Sequence, residues 1–222
     1  MKEKFLARLS PLKQRLVNCA VLYYNAKKKL VKKGDVAPIG RATVSKTVCC
    51  RFESCHPRFM EKLRNSTLVF LVKKSQGEIT NICLAMKKRG FGINRWNGVG
   101  GKVKEIETIE EAAKRETEEE IGVIVDRMEK VAQLSFYFPH NPAWDQMTHV
   151  YFSENWEKEP KESEEMRPEW FSINELPFEK MWPDDIYWLP EVLKGKRLKA
   201  AFYFKEGDII ENKKIEIVRE LS

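Results

Sequence analysis

Three carboxylates crowd one face of a predicted helix in the middle of the chain. A single stripe along the helix contains Ile109, Ala113, Glu116 and Glu120. Their spacings of four, three and four residues match the helical period. Glu119 lies beside this stripe. Like charges at such spacings repel each other, and a hard divalent cation such as Mg²⁺ relieves the crowding because it takes oxygen ligands. The stripe therefore indicates a metal site, and a solvated acidic helix is the plainer alternative.

The helix that must carry these carboxylates has clear start and stop signals. Thr108 is a suitable N-cap, Glu111 completes a capping box three residues later, and Gly122 supplies a left-handed C-terminal stop. Residues 109–121 contain no proline or glycine, so we predict a helix of about three turns. Arg115 precedes Glu119 by four residues and can pair with it.

The spacing of these residues resembles the Nudix box, G-x5-E-x7-R-E-U-x-E-E-x-G-U, in which U is aliphatic. The matching residues are Gly101, Glu107, Arg115, Glu116, Glu119, Glu120 and Gly122. Thr117 departs from the box because it replaces an aliphatic residue. Residues 65–221 further resemble the MutT-related enzymes that hydrolyse oxidised purine nucleoside triphosphates, in particular the animal type. The stretches that carry this wider resemblance are 86–92, 95–98, 100–103, 165–168 and 181–185.

This resemblance implies a hydrolase that depends on Mg²⁺, with Mn²⁺ as a substitute cation. The implied catalytic residues are Arg115, Glu116, Glu119 and Glu120, and the implied metal ligands are Glu116, Glu119, Glu120, Glu165 and the backbone carbonyl of Gly100. Such a metal neutralises phosphoryl charge and lowers the pKa of a bound water. Either Glu119 or Glu165 would accept the water's proton, and the sequence leaves both open. Glu107 would orient the start of the helix.

The resemblance also implies a pocket for the purine base. Trp182 offers a flat face for stacking, and Asn97 offers both a hydrogen-bond donor and an acceptor. Asp184 and Asp185 would hold the base through a carboxyl group kept protonated in an apolar pocket. The other implied substrate-binding residues are Thr67, Lys87, Phe91, Val99, Gly100, Gly101, Lys102 and Pro183. Taken alone, Trp182 fits a core position equally well, and Asp184 fits a helix N-cap.

The implied reaction is hydrolysis of an oxidised purine nucleoside triphosphate to the monophosphate and pyrophosphate. Val99 and Ile106 depart from the close relatives, which carry an aromatic residue and a glycine there, so the preferred purine stays open. One alternative is the same chemistry on ADP-ribose or a dinucleoside polyphosphate, and another is a nucleotide-binding module without catalysis. The expected partner is the nucleotide substrate alone, with no membrane, no nucleic acid and a monomeric state.

The charge and the cysteines of the chain are unevenly distributed. The chain has 222 residues and a formal net charge of +7. Residues 1–59 contain 14 basic and 3 acidic residues, which leaves 26 basic and 30 acidic residues in 60–222. The five cysteines have no regular spacing, which favours a reducing compartment and predicts a cytoplasmic location.

Residues 1–59 are predicted to be a basic extension outside the domain. They are either disordered or the product of a gene start placed too far upstream, because residues 34–57 resemble a translated transfer-RNA gene. We expect Met60 to be the true start, and a short helix within residues 11–24 to be the one element before it.

Alternating apolar residues predict an α+β (α/β) fold over residues 60–222, a mixed sheet sandwiched between α-helices as in the Nudix fold. The predicted strands are 66–74, 79–88, 131–138, 147–152, 168–171, 199–204 and 209–218. A second helix is expected over residues 184–193, a short helical turn over 173–176, and a charged loop over 154–165.

Overall fold

The computed structural model describes residues 63–221, so the expectations for residues 1–59 and for a start at Met60 lie outside the described residues. The described strands are β1 (Arg64–Ser75), β2 (Glu78–Lys87), β3 (Trp96–Asn97), β4 (Ile124–Val125), β5 (Glu129–Tyr137), β6 (Gln146–Ser153), β7 (Trp156–Glu157), β8 (Met166–Ser172), β9 (Arg197–Lys205) and β10 (Ile209–Val218). The described α-helices are α1 (Ile109–Ile121) and α2 (Asp185–Leu193), and short 3₁₀ helices lie at Pro142–Trp144 and Phe178–Lys180. No helix among these residues is long and apolar enough to cross a membrane.

Eight of the described strands form one mixed sheet. Seven of them follow the order β10-β9-β5-β6-β1-β2-β3, and β8 pairs with β2. The β1–β6 and β5–β9 pairs are parallel, and the other pairs in this sheet are antiparallel. β4 and β7 form a separate two-stranded ribbon, so the charged loop expected over residues 154–165 contains a short strand.

The two helices cover opposite faces of the sheet. Phe70 of β1 packs with Trp188 of α2, with ring centroids 6.1 Å apart. Leu71, the next residue of the strand, packs instead with Ala113 and Ile121 of α1. Side chains alternate between faces along a strand, so β1 contributes to two separate hydrophobic cores. The predicted sheet sandwiched between helices is confirmed.

β1 changes its partner halfway along its length. Its pairing with β2 begins at Val72, whereas upstream of that point it pairs with the segment that follows β3. The N–H of Val69 donates to the carbonyl of Val99 at 2.7 Å, and the N–H of Thr67 donates to the carbonyl of Gly101 at 2.8 Å. This segment therefore separates the first half of β1 from β2, and the sheet opens at that end.

The predicted short helical turn at residues 173–176 is wrong. These residues form a bend and a turn, and the short helix occurs later, at Phe178–Lys180. Pro177 explains the difference, because a proline disfavours the α conformation for the residue before it, here Leu176. The predicted strand ranges and α2 agree with the structure to within a few residues.

The start and end of α1 are as predicted. The Oγ1 of Thr108 accepts a hydrogen bond from the N–H of Glu111 at 3.2 Å, and the Glu111 carboxylate accepts from the N–H of Thr108 at 2.7 Å. Gly122 ends the helix with φ 72°, and its N–H donates to the carbonyl of Glu118. Local signals therefore set the limits of the helix that carries the acidic stripe.

We expect Thr108→Ala to lower the free energy of unfolding by about 1 kcal/mol, because it leaves the N–H of Glu111 without its acceptor. Denaturant unfolding of the two proteins measures this difference. Glu110→Ala is the matched control, since Glu110 lies in the same first turn without a capping bond. An equal effect of both substitutions would contradict the role of the capping box.

Candidate active site

A cavity of about 570 Å³ lies at the end of the sheet where β1 and β2 are separated. Part of its apolar lining comes from the central strands and from β9, and this part includes Leu68, Ala85, Leu134, Phe136, Phe138 and Phe204. Its polar lining includes Ser66, Thr67, Lys87, Asn97, Lys102, Gln146, Thr148, Glu165, Asp184 and Asp185. An apolar cavity with a few polar groups is the usual form of a small-molecule site.

Two adjacent carboxyl groups are buried at the start of α2. Asp184 and Asp185 are 3% and 2% exposed. The indole Nε1–H of Trp188 lies 3.1 Å from a carboxyl oxygen of each, and the N–H of Trp182 donates to Asp185 at 3.0 Å. Burial raises the pKa of Asp184 to about 7, and burial together with the neighbouring carboxyl raises the pKa of Asp185. The pair can therefore hold a proton near neutral pH.

Trp182 is held at the cavity by two neighbouring side chains. The ring of Phe91 stacks on it, with centroids 5.0 Å apart and an interplanar angle of 27°. The guanidinium of Arg95 lies 4.5 Å from the ring centroid, which is a cation–π distance. Arg95 is itself fixed, because it donates to the carbonyl of Met181 and pairs with Asp208. Trp182 therefore presents a rigid aromatic surface at the cavity.

Arg115 organises the carboxylates of α1. Its guanidinium makes two hydrogen bonds to Glu107, at 2.7 and 2.9 Å. It also contacts Glu116 at 2.7 Å and Glu119 at 3.0 Å. The hydrogen bonds from Arg115 and from the N–H of Lys104 lower the pKa of Glu107 to about 2. One fixed cation therefore offsets the mutual repulsion of three carboxylates.

Glu120 is the carboxylate that α1 directs toward the cavity lining. It is 6% exposed, and it accepts hydrogen bonds from the N–H of Gly100 at 2.9 Å and from Nζ of Lys87 at 3.3 Å. Burial raises its pKa. The same Lys87 Nζ lies 3.7 Å from Glu165, whose pKa is lowered mainly by its hydrogen bond with Arg89. Glu120 and Glu165 thus meet at Lys87.

Glycines allow the backbone to approach this helix. A Cβ on Gly101 would lie 2.6 Å from the Cδ of Glu116, and a Cβ on Gly100 would lie 2.1 Å from the carbonyl oxygen of Thr67. The backbone of Thr67 leaves no room for a side chain at position 100, and a side chain at position 101 would displace the carboxylate of Glu116. The two glycines therefore bring the main chain close to Glu116 and place the N–H of Gly100 on the carboxylate of Glu120.

These oxygen donors suit a hard divalent cation in type and charge. Among the described residues, no three acidic, histidine or cysteine side chains converge closely enough to enclose an ion, because Glu120 and Glu165 are drawn to Lys87 while Glu116 and Glu119 are drawn to Arg115. The buried carboxylate of Glu120 is nevertheless paired with a single partly exposed ammonium. Its burial favours a further positive charge nearby.

Most of the expected substrate-binding residues meet at the cavity. The lining includes Thr67, Lys87, Phe91, Asn97, Gly100, Gly101, Lys102, Trp182, Asp184 and Asp185. Val99 and Pro183 are not among the residues that line it. Val99 is 3% exposed and packs in the core beneath α1, because it alternates with Gly98 and Gly100 along an extended segment. The expected N-cap at Asp184 makes no side-chain capping bond.

Several residues of the site were not predicted from the sequence. Arg95 fixes Trp182, Arg89 pairs with Glu165, and Trp188 contacts both buried carboxyl groups. The helical spacing of Trp188, four residues after Asp184 and three after Asp185, was the signal that could have identified it. The positions of Arg89 and Arg95 depend on contacts with distant segments, for which the sequence carries no local signal.

The chain is similar to a known domain family, to two vertebrate proteins and to a bacterial protein of known structure. A model of the NUDIX domain matches residues 62–192. A zebrafish (Danio rerio) protein named oxidized purine nucleoside triphosphate hydrolase is 44% identical over 155 residues, which cover 70% of this chain and 96% of that protein. A mouse (Mus musculus) protein of the same name is 44% identical over 151 residues, which cover 68% and 93%. The crystal structure of a MutT protein from Bacillus halodurans matches with a TM-score of 0.60 at 24% identity, covering 69% of this chain and 98% of that chain.

The raised pKa of Asp184 makes the stability of the wild type depend on pH. A carboxyl group whose pKa is higher in the folded state stabilises the fold below its unfolded pKa of 3.8, and this stabilisation is lost as the pH rises through about 7. Asp184→Asn removes the titration. We therefore expect the melting temperature of this variant, relative to wild type, to increase between these two pH values and to level off above them.

The free energy of unfolding of Asp184→Asn relative to wild type should be higher above neutral pH than below pH 3.8. The expected increase is on the order of a few kcal/mol. Asp126→Asn is the control, because Asp126 is 91% exposed and its only described ion pair is at 4.0 Å. Thermal unfolding of the three proteins across the pH range measures the effect. A difference between Asp184→Asn and wild type that stays constant with pH would contradict the raised pKa.

Proposed function

This chain belongs to the NUDIX domain family, and on that basis we propose that it hydrolyses oxidised purine nucleoside triphosphates to the monophosphate and pyrophosphate. The proposal is supported by the shared name of two relatives that are 44% identical and are matched over more than nine tenths of their length. It makes the protein an enzyme that removes damaged nucleotides before they are incorporated into DNA.

The observation that carries the proposal is the adjacency of two different acidic sites. Buried carboxyl groups and an aromatic ring line the cavity at Trp182, Asp184 and Asp185. The carboxylates of α1 lie against the Gly100–Gly101 backbone of the same cavity. A base bound at the first site would extend its phosphates toward the second. A nucleotide has this arrangement of an aromatic base and an anionic chain.

Mg²⁺ is the cation that the second site would hold, with Mn²⁺ as a substitute. The proposed ligands are carboxylates of α1, the glutamate before β8 and one main-chain carbonyl, namely Glu116, Glu119, Glu120, Glu165 and Gly100. Such an ion neutralises phosphoryl oxygens and lowers the pKa of a bound water. Lys87 and Lys102 line the cavity near this site and add positive charge that attracts the triphosphate.

The next roles to assign are the positioning of the α1 carboxylates and the acceptance of a proton from the attacking water. Arg115 holds Glu116 and Glu119 in place through its three-carboxylate contact, so it positions the site. A proton acceptor is needed for the attacking water, and Glu119 and Glu165 are both exposed enough to reach solvent, at 57% and 40%. Glu165 is held by Arg89 and Lys87. The two candidates therefore differ in freedom of movement.

Base recognition falls to the groups at the start of α2. A protonated carboxyl group can donate a hydrogen bond to a carbonyl oxygen of the base, while its ionised neighbour accepts one. Asp184 and Asp185 suit these two roles because burial raises the pKa of both. Trp182 supplies the stacking surface. We place the enzyme in the cytoplasm, since Cys83 is a free buried thiol and the chain has an odd number of cysteines.

We expect the full-length chain with Mg²⁺ to release pyrophosphate from 8-oxo-dGTP or 2-oxo-dATP faster than from dGTP or dATP. The physical reason is that the buried carboxyl pair matches the altered hydrogen-bonding pattern of an oxidised base. The measurement is kcat/KM for each nucleotide from pyrophosphate release. ADP-ribose and a dinucleoside polyphosphate belong in the same panel. Faster hydrolysis of either of these would favour the rival diphosphatase function instead.

We expect Glu119→Gln and Glu120→Gln to lower kcat at least about 100-fold, because each removes a negative charge that would hold the Mg²⁺ ion at the phosphate group. Glu118→Gln is the matched control, because this glutamate lies on α1 next to Glu119 but is exposed and outside the stripe. Melting temperatures establish that the variants are folded. Activity near that of wild type in both Glu119→Gln and Glu120→Gln would refute the proposed metal site.

A further inference from the structure

Two buried hydroxyl groups interrupt the apolar floor of the cavity. Ser66 of β1 and Thr148 of β6 are register partners in the parallel ladder, and both line the cavity. They are 7% and 6% exposed, and the two hydroxyl oxygens lie 2.8 Å apart. Leu68, on the same face of β1, and Leu134, the register partner of Thr148 in β5, lie beside them in the floor. The hydroxyl pair is therefore a polar spot on an apolar surface.

This hydroxyl pair has one hydrogen that its own contact does not use. Each hydroxyl carries one donor hydrogen and two acceptor lone pairs. The bond between Ser66 and Thr148 uses one of the two hydrogens, and neither side chain makes another hydrogen bond to a residue in the described part of the chain. A buried donor is costly to leave without an acceptor. The remaining hydrogen therefore suits an acceptor on a molecule that enters the cavity.

We propose that the Ser66–Thr148 hydroxyl pair hydrogen-bonds the edge of the purine base and contributes to the preference for an oxidised purine. This inference rests on the proposed function, and it adds recognition residues to it. The carboxyl groups of Asp184 and Asp185 reach the cavity from α2, whereas the hydroxyl groups reach it from the sheet that α2 covers. A purine has two polar edges, so the two sets of groups can bind different edges of one base.

The chemistry of the pair favours 8-oxoguanine over guanine. In guanine, N7 and O6 are adjacent acceptors. In 8-oxoguanine, N7 carries a hydrogen and lies between two carbonyl oxygens, so a donor stands next to an acceptor. A hydroxyl pair with one free hydrogen and several free lone pairs can donate to a carbonyl oxygen and accept from N7–H at the same time. The same pair satisfies only one of the two adjacent acceptors of guanine.

The test separates base recognition from hydrolysis by using nucleosides, which have no phosphate. Binding of 8-oxo-2′-deoxyguanosine and 2′-deoxyguanosine is measured by tryptophan fluorescence of the full-length chain in the presence of a chelator. We expect Ser66→Ala/Thr148→Val to reduce the preference for the oxidised nucleoside about tenfold, the effect of one or two lost hydrogen bonds. The replacement of both partners by apolar groups of similar shape is nearly neutral for stability, which the melting temperature checks.

Two controls show whether the effect belongs to this pair. Thr148→Ser keeps both hydroxyl groups and should retain the wild-type preference. Ser153→Ala removes a buried hydroxyl at the far end of β6, where it donates to the carbonyl of Arg127, and should leave the preference unchanged. In turnover of 8-oxo-dGTP, the double variant should raise KM and leave kcat close to that of wild type.

A second probe tests the inference on the wild-type chain alone. 8-Bromo-2′-deoxyguanosine has bulk at C8 but no hydrogen on N7, so we expect it to bind about tenfold more weakly than the 8-oxo nucleoside. Equal binding of these two nucleosides, or a double variant with the wild-type preference, would overturn the inference. Wild-type protein that prefers the oxidised nucleoside but releases no pyrophosphate would contradict the proposed function. The nucleoside comparison would then still test whether the hydroxyl pair binds the base.

Discussion

The close approach of the segment 98–101 to β1 is the constraint on which the site depends. Added Cβ atoms on Gly98 and Gly100 would lie 2.8 and 2.1 Å from backbone carbonyl oxygens of β1, so only glycine fits at these two positions. The hydrogen bonds of this segment to β1 displace β2 and open the end of the sheet. The same segment contacts the α1 carboxylates. One tightly packed stretch of backbone therefore creates the cavity and places the acidic helix beside it.

The sequence was sufficient where the structure depends on local signals. Thr108 and Gly122 set the limits of α1, and both act through bonds within one turn of the helix. The cavity depends on contacts between segments far apart in the chain, such as that of Arg95 with Asp208. Val99 shows the limit of assigning residues by position in a motif. Alternation along an extended segment turns its side chain into the core, while its two glycine neighbours remain at the cavity.

The chain keeps its carboxyl groups in two opposite electrostatic states. Contacts with Arg115 lower the pKa of Glu107, and a contact with Arg89 lowers that of Glu165. Burial raises the pKa of Asp184 and Asp185, which have no cation within ion-pair distance in the described part of the chain. Carboxylates that stay ionised suit the binding of cations, whereas carboxyl groups that keep a proton suit hydrogen bonding to a neutral base. The two acidic sites therefore require different surroundings.

Trp188 connects the stability of the fold to the protonation of the buried pair. Its ring is fully buried between α2 and the sheet, where it packs against Phe70. Its single N–H lies 3.1 Å from both Asp184 and Asp185. One donor shared by two carboxyl groups favours their ionised forms, but burial opposes it more strongly, so the pKa of each stays raised. The residue that anchors α2 thus also orients the buried carboxyl pair, while burial keeps the pKa of both carboxyl groups raised.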